Sequence, residues 1–375
     1  MSASVYLDYN AGAPARPEVI DVMVETLKAA GNPSSVHDFG RRARARLEAA
    51  RRDVAAAVGG DAAGVVFTSG GTEANALALR GTGRRVLVSD IEHASVRQCG
   101  PAQIIPVGAD GVVDLEALDR LLAADPTPAL VSVMLANNET GVIQPVAEVV
   151  RLAHARGALV HCDAAQGLGR LPVFLSDLDV DFLTLSAHKM GGPSGIGCLL
   201  LSKGDISLAP ILLGGGQEKS RRAGTENLAG IVGFATAARL AAEEAKGGDA
   251  PARMRSLRDA LEAQAVERVP EARIVGGSSP RLCNTSCLIL PDVAAQVQVM
   301  ALDLAGVMVS AGSACSSGKV ASSHVLAAMG LGPGQADCAL RVSLGPESRA
   351  QDVDAFLSAW SDLARRKGKT VKDAA

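Results

Sequence analysis

Apolar positions along this chain fall in short continuous runs separated by segments of helical periodicity. The runs occupy residues 64–68, 84–89, 102–107, 130–136, 158–163, 181–186 and 196–201. Each is too short for a core helix and is apolar on both pleat faces, the pattern of a strand covered on both sides. Between them, 73–80, 115–124 and 146–156 carry helical spacing, as does Gly40–Val58 before them. Strands alternating with helices predict an α/β fold around a mostly parallel, seven-stranded sheet, with ligands outside the carboxyl ends of the strands. An alanine-rich helix, Leu228–Lys246, runs into Gly247-Gly248-Asp249-Ala250-Pro251. That is the expected boundary of a large domain, 15–246. A smaller α/β domain is expected from 1–14 and 247–375. Its elements are helix 252–268, strands 271–275 and 284–290, helix 293–305, strand 307–310, a polar loop, a short helix, a strand near 338–344 and a last helix to Arg366.

Composition narrows the picture. Only 2% of residues are aromatic, so the core must be built from Ala, Val, Leu and Ile. A net charge of −3 gives no global attraction for nucleic acid or an anionic membrane. Six arginines between Arg41 and Arg52 alternate with Ala and Glu and read as a solvated helix face. There is no apolar run of about 18 residues for a membrane span, and no signal peptide is expected at the amino terminus. The cysteines number seven, with no Cys-x-x-Cys pair, which argues against a disulfide framework or a structural zinc site. A reducing cytoplasm is the expected compartment.

Polar residues collect where the strands end. Lys189 follows an apolar strand and precedes Gly191-Gly192-Pro193, and a desolvated lysine amine can form a Schiff base. Thr68-Ser69-Gly70-Gly71-Thr72 turns into a helix and can cradle an anion. It is not a P-loop, because no Gly-Lys-Ser/Thr closes it. His93, the pair Asn137-Asn138 and Asp163 stand after three further strands. His161 and Asp163 lack a third ligand at suitable spacing, so a metal is not supported. A phosphorylated carbonyl cofactor held by the lysine, with Asp163 on its ring nitrogen, accounts for the whole set.

The motifs run in family order along nearly the whole chain. They include Tyr6-Leu7-Asp8, Asn32-Pro33-Ser34-Ser35, Ser69-Gly70-Gly71-Thr72-Glu73, Glu92-His93, Asn137-Asn138-Glu139 and Asp163-Ala164-Ala165-Gln166. Ser186-Ala187-His188-Lys189, Gly214-Gly215-Gly216-Gln217-Glu218, Arg222-Ala223-Gly224-Thr225, Ser313-Ala314-Cys315-Ser316-Ser317-Gly318 and Arg341-Val342-Ser343 continue them. In these the chain resembles the cysteine desulfurases of iron–sulfur cluster assembly, fold-type-I pyridoxal phosphate enzymes of the class V aminotransferase family.

The resemblance implies that Lys189 carries pyridoxal 5'-phosphate, Asp163 pairs with the pyridinium nitrogen, Gln166 reaches the ring hydroxyl and His93 stacks on the ring. Gly71, Thr72, Ser186 and His188 would bind the phosphate. Thr225 would reach the phosphate of a neighbouring subunit, which implies a homodimer. Asn138 and Arg341 would hold the carboxylate of L-cysteine. Cys315 would take the substrate sulfur as a persulfide, leaving L-alanine, with Lys189 and His93 as its catalytic companions. The sulfur would pass to an iron–sulfur scaffold or another acceptor protein. No metal is expected in the isolated enzyme, although Cys315 could transiently contact a cluster. A selenocysteine lyase or another class V enzyme is the alternative implied by the same motifs. The chain departs from the family's usual pattern at Gly12-Ala13, where two threonines are common, at Ser322, where proline is common, and at Gly71, where alanine is frequent.

Overall fold

The computed structural model describes residues 4–29, 31–203, 206–312 and 322–372. Cys315 therefore lies outside the described residues. The strands among the described residues are, in chain order, β1 (Val5–Tyr6), β2 (Val65–Thr68), β3 (Arg85–Ser89), β4 (Gln103–Ile105), β5 (Ala129–Ser132), β6 (Leu159–Asp163), β7 (Phe182–Ser186), β8 (Gly197–Leu201), β9 (Arg273–Ile274), β10 (Thr285–Ile289), β11 (Val307–Met308), β12 (Ser310–Ala311) and β13 (Ala339–Ser343).

The seven apolar runs all form strands, and they join in one sheet of order β2-β8-β7-β6-β5-β3-β4. Five neighbouring strands are parallel. β8 lies antiparallel to both β2 and β7, since it returns directly after the turn at Gly191–Gly195 without a crossover helix. The sheet is covered on both faces, as continuous apolar strands require. Alternate residues divide between the faces. Phe67, Val131, Val160, Leu183, Leu185 and Leu200 pack with Leu47 and Val54 of helix Asp38–Ala57 and Phe234 of helix Leu228–Gly247. Val66, Leu130, Phe182 and Leu199 pack with Leu77 and Ala78 of helix Gly71–Gly81. With so few aromatics, helix–helix contact depends on small residues. Gly233 of helix Leu228–Gly247 lies against Val19 and Met23 of helix Pro17–Lys28, where a Cβ would come within 2.7 Å of Met23.

The arginine-rich helix behaves as its pattern predicts, with one exception. Five of its six arginines are exposed or nearly so, but Arg51 is buried. Its guanidinium donates two bonds to Glu218, at 2.7 and 2.8 Å. Glu218 also accepts the amide of Phe67 on β2, at 2.9 Å. This pair holds Glu218, Lys219 and Ser220 in left-handed backbone conformations, with φ of 46°, 57° and 62°. Three consecutive non-glycine residues in that region persist only where surrounding contacts over-determine them.

The remaining chain builds a second core. Leu7, Leu261, Leu288, Leu340, Phe356 and Trp360 cluster around the antiparallel sheet β12-β13-β10-β9. β1 pairs in parallel with β11, so the first residues belong to this core. The run 307–310 forms two short strands, β11 and β12, rather than one. The long helix stops at Gly248 (φ 78°), and the next helix starts at Asp249, so the predicted linker is a single left-handed glycine. Helix Pro17–Lys28, not among the expected elements, leaves Ile20, Val24 and Leu27 on one of its faces exposed.

Candidate active site

A cavity of about 400 Å³ opens at the carboxyl ends of β2, β5, β6 and β7, where the sheet and the second core meet. Lys189, Asp163, Gln166, His93, Ser186 and His188 all line it. So do Gly71, Thr72, Asn138 and Arg341. Ten residues chosen from sequence are thus brought together. Thr225 does not line the cavity; it stands exposed on the segment that Arg51 and Glu218 brace.

Lys189 is delivered by β7, which ends at Ser186 and continues as a single 3₁₀ turn, Ala187–Lys189. Its Nζ donates to the main-chain oxygens of Asn10 (2.5 Å) and Ala11 (2.9 Å). The cradle at the end of β2 is formed by close approach. A Cβ on Gly197 of β8 would sit 2.8 Å from the Gly70 carbonyl carbon, so only glycine lets the two strands meet there. By contrast, a Cβ on Gly71 would meet Ser186 at an ordinary 3.5 Å, which is why alanine is compatible with that position. Glu73 accepts the Ser69 amide at 2.7 Å and pairs with Arg222 at 2.9 Å, tying the cradle to the Thr225 segment.

Asp163 terminates β6. It accepts from Asn75 Nδ2 (2.7 Å) and from the Ala165 amide (3.0 Å), both neutral donors. Just behind it lies Glu92, wholly buried, accepting the Met134 amide at 2.6 Å. Burial, with the Asp163 charge nearby, pushes the Glu92 carboxyl well above its ordinary range. Of two neighbouring carboxyls, the outer one faces the cavity and the inner one is wholly buried.

Gln166 is oriented from both ends. Its Nε2 donates to the Asn10 carbonyl at 3.0 Å, and its Oε1 accepts from Arg170 Nη1 at 2.6 Å. Arg170 is buried, and desolvation lowers it to about 10. His93 Nδ1 lies 2.8 Å from Ser95 Oγ, which also receives Asn75 Nδ2. His188 Nδ1 lies 3.0 Å from Ser186 Oγ, and burial together with the Lys189 charge lowers it to about 4. Its ring is therefore neutral at pH 7.

Arg341, on β13, reaches the cavity from the second core. Nη2 donates to Asp8 Oδ1 at 2.8 Å and Nη1 to the Asn138 carbonyl at 3.3 Å. Its Nε is buried without a partner among the described residues, as is Asn75 Oδ1. Such orphaned groups are rare in finished cores and mark a place for a ligand. Asp163 with neutral donors, the Lys189 amine and the Gly71-Thr72 turn, all lining one cavity, fit pyridoxal phosphate.

Sequence reading missed Asn10, Arg170 and Asn75 as members of this site. Asn10 receives Lys189 and Gln166 on its carbonyl, while its side chain bonds Asn138, Thr285 and Asn284. Its only sequence signal is a buried-type polar residue beside the Tyr6-Leu7-Asp8 motif. Among the described residues no cluster of His, Cys, Asp and Glu could hold a metal. His161 is instead satisfied by Ser132 Oγ (2.9 Å) and Thr184 Oγ1 (3.0 Å), and burial lowers its pKa to about 4.

That shift has a stability consequence. Between about pH 6.5 and 4 the unfolded chain binds a proton at His161 that the folded chain refuses, so stability falls as pH falls through that window. The His161 contribution is full above about 6.5 and amounts to roughly 3 kcal/mol. In cofactor-free protein, His161→Gln should flatten denaturant-melt stability across that window. An unchanged slope would assign the acid sensitivity to other groups.

Comparison with known proteins agrees with this geometry. The family model described as Aminotransferase class-V matches residues 5–356. A cysteine desulfurase of Cereibacter sphaeroides is 44% identical over 94% of each chain. The solved NifS-like protein of Rickettsia africae superposes with a TM-score of 0.90 at 34% identity, covering 96% of this chain and 99% of that one. A solved structure described as SspA in complex with cysteine superposes at 0.77 with 27% identity, covering 92% of this chain and all of the other. The chain therefore belongs to the class-V aminotransferase family and has the fold of its pyridoxal phosphate-dependent, NifS-like members.

Proposed function

We propose that the protein is a cysteine desulfurase that moves sulfur from L-cysteine to Cys315 as a persulfide and releases L-alanine. The observation that carries this reading is the single cavity in which Lys189, Asp163 and the cradle of Gly71 and Thr72 face Arg341. The relatives described as cysteine desulfurases, and the neighbour solved with cysteine, support the same substrate.

Lys189, Asp163, Gln166 and His93 would hold the cofactor, with its phosphate on Gly71, Thr72, Ser186 and His188. Bound there, pyridoxal phosphate supplies an electron sink that acidifies the substrate's α-hydrogen. Arg341 and Asn138 receive the substrate carboxylate, whose charge matches the guanidinium fork. The Lys189 amine takes the α-proton and returns it. The Cys315 thiolate attacks the substrate sulfur: a sulfur–sulfur bond forms, the bond from that sulfur to the β-carbon breaks, and the carbon takes a proton to give alanine.

Cysteine burial supports Cys315 as acceptor. Cys162, Cys198, Cys283, Cys287 and Cys338 are buried, with burial raising each thiol pKa, to about 12 for Cys287. Cys99 is raised as well. None of these six lines the cavity. Two domains, 15–246 and 1–14 with 247–375, are part of this reading, supported by the two separate cores. So is a homodimer. Exposed Ile20, Val24, Leu27, Val36 and Phe39 give it apolar surface, and exposed Thr225 would serve the partner's phosphate. An iron–sulfur scaffold or similar protein would accept the persulfide sulfur, for which the family motifs are the support.

One preparation tests the reading in two ways. Cofactor-loaded protein should sediment at twice the chain mass and release alanine from L-cysteine in step with sulfur uptake. A monomer would remove the dimer. A keto acid in place of alanine would make the enzyme an aminotransferase.

A further inference from the structure

Glu139 has no role in the chemistry described so far, yet it occupies an unusual position. It follows Asn138 directly, and it is 4% exposed. Its Oε2 accepts a hydrogen bond from Ser323 Oγ at 2.5 Å. The same Oε2 lies so close to Gly312 that a Cβ there would come within 2.9 Å of it. Gly312 and Ser323 are the described residues near either end of the 313–321 segment that contains Cys315. One carboxyl group thus stands between the outgoing and the returning chain.

The neighbouring contacts repeat the pattern. On the outgoing side, Ser310 Oγ donates to Asp8 Oδ2 at 2.7 Å, and the other oxygen of Asp8 holds Arg341. On the returning side, Ser323 Oγ also caps the next helix through the Leu326 amide, and His324 Nε2 lies 2.9 Å from the Glu92 carbonyl, next to His93. Both flanks are therefore built onto residues that line the cavity or hold its lining. Burying a carboxyl is costly and is offset here by the Ser323 hydrogen bond and by the charges of Arg341 and His93.

We propose that Glu139 is a positioning residue for sulfur transfer: as the acceptor for Ser323 beside Gly312, it sets both flanks of the Cys315 segment against the substrate pocket. This rests on the reading that Cys315 receives the sulfur. Glu139 does not line the cavity and acts through the two flanks it holds. A misplacement of about 1 Å in a reacting group costs on the order of 10²-fold in rate. The predicted loss therefore falls on turnover and leaves cofactor and substrate binding intact.

The test compares Glu139→Ala, Glu139→Gln and Ser323→Ala in the cofactor-loaded enzyme. Ser323→Ala removes the same hydrogen bond without emptying a core position, so it serves if Glu139→Ala folds poorly. Glu139→Ala and Ser323→Ala should lower kcat for alanine release by roughly 10-fold to 10²-fold with KM for L-cysteine nearly unchanged. Cofactor absorbance should persist. The rate of Cys315 alkylation by iodoacetamide, followed by peptide mass spectrometry, should change severalfold in both. Glu139→Gln keeps an acceptor for Ser323 and should recover most of both readouts. Unchanged kcat and alkylation in both alanine variants would overturn the proposal. So would a loss confined to KM, or a glutamine variant as impaired as the alanine one. Alkylation reports on the segment whatever the chemistry. If Cys315→Ser still released alanine, the nucleophile assignment would fail while the placement by Glu139 remained measurable.

Discussion

Cys315→Ser is expected to lower alanine release from L-cysteine by roughly 10³-fold or more, the scale on which removal of a nucleophile acts. The visible absorbance of the bound cofactor should be unchanged. A serine hydroxyl is not ionised at neutral pH and cannot form the persulfide that the cysteine thiolate forms. The other cysteines cannot substitute. Five are buried with raised pKa values, and Cys99 lies on the far side of helix Gly71–Gly81, packed with Val96 and Ala102 rather than on the cavity. Undiminished desulfuration in this variant would remove Cys315 from the mechanism. Residual activity that tracked a second alkylated cysteine would identify the replacement.

Lys189→Ala should be equally severe and separable by its spectrum. The amine both attaches the cofactor and moves the α-proton, and a positioned acid–base group alone is worth about 10²–10⁴-fold. Borohydride reduction should then trap no cofactor on the protein, whereas wild-type enzyme should retain it on the Lys189 peptide. The structure adds a stability expectation. Lys189 bonds the carbonyls of Asn10 and Ala11, and Asn10 is anchored to Thr285 and Asn284 of the second core. Removing the amine leaves those carbonyls without that donor, so the cofactor-free variant should also melt slightly below the cofactor-free wild type. Covalent trapping at another lysine would contradict the assignment.

Much of this was legible in the sequence because the relevant signals are local. Seven apolar runs became seven strands, and residues at the carboxyl ends of β2, β3, β5, β6 and β7 became walls of one cavity. Lys189, Asp163 and His93 were visible because each is a polar residue placed after an apolar strand. Asn10 and Arg170 were not visible, because they act through main-chain and side-chain partners distant in sequence. Arg51 was read with its exposed neighbours, since periodicity alone does not show which arginine meets a carboxylate arriving from residue 218. The antiparallel return of β8 is also hidden, because strand direction depends on whether a crossover intervenes and not on the apolar pattern. Glu139 was quoted as part of a motif without a role. Its function emerges only when Gly312 and Ser323 are seen on either side of it.

The most direct measurement is peptide mass spectrometry of cofactor-loaded protein after brief exposure to L-cysteine, without added reductant. One additional sulfur atom on the Cys315 peptide, absent from the Lys189→Ala variant, is the predicted result. Alanine released while Cys315 stays unmodified, or the extra sulfur carried by a different cysteine, would contradict it.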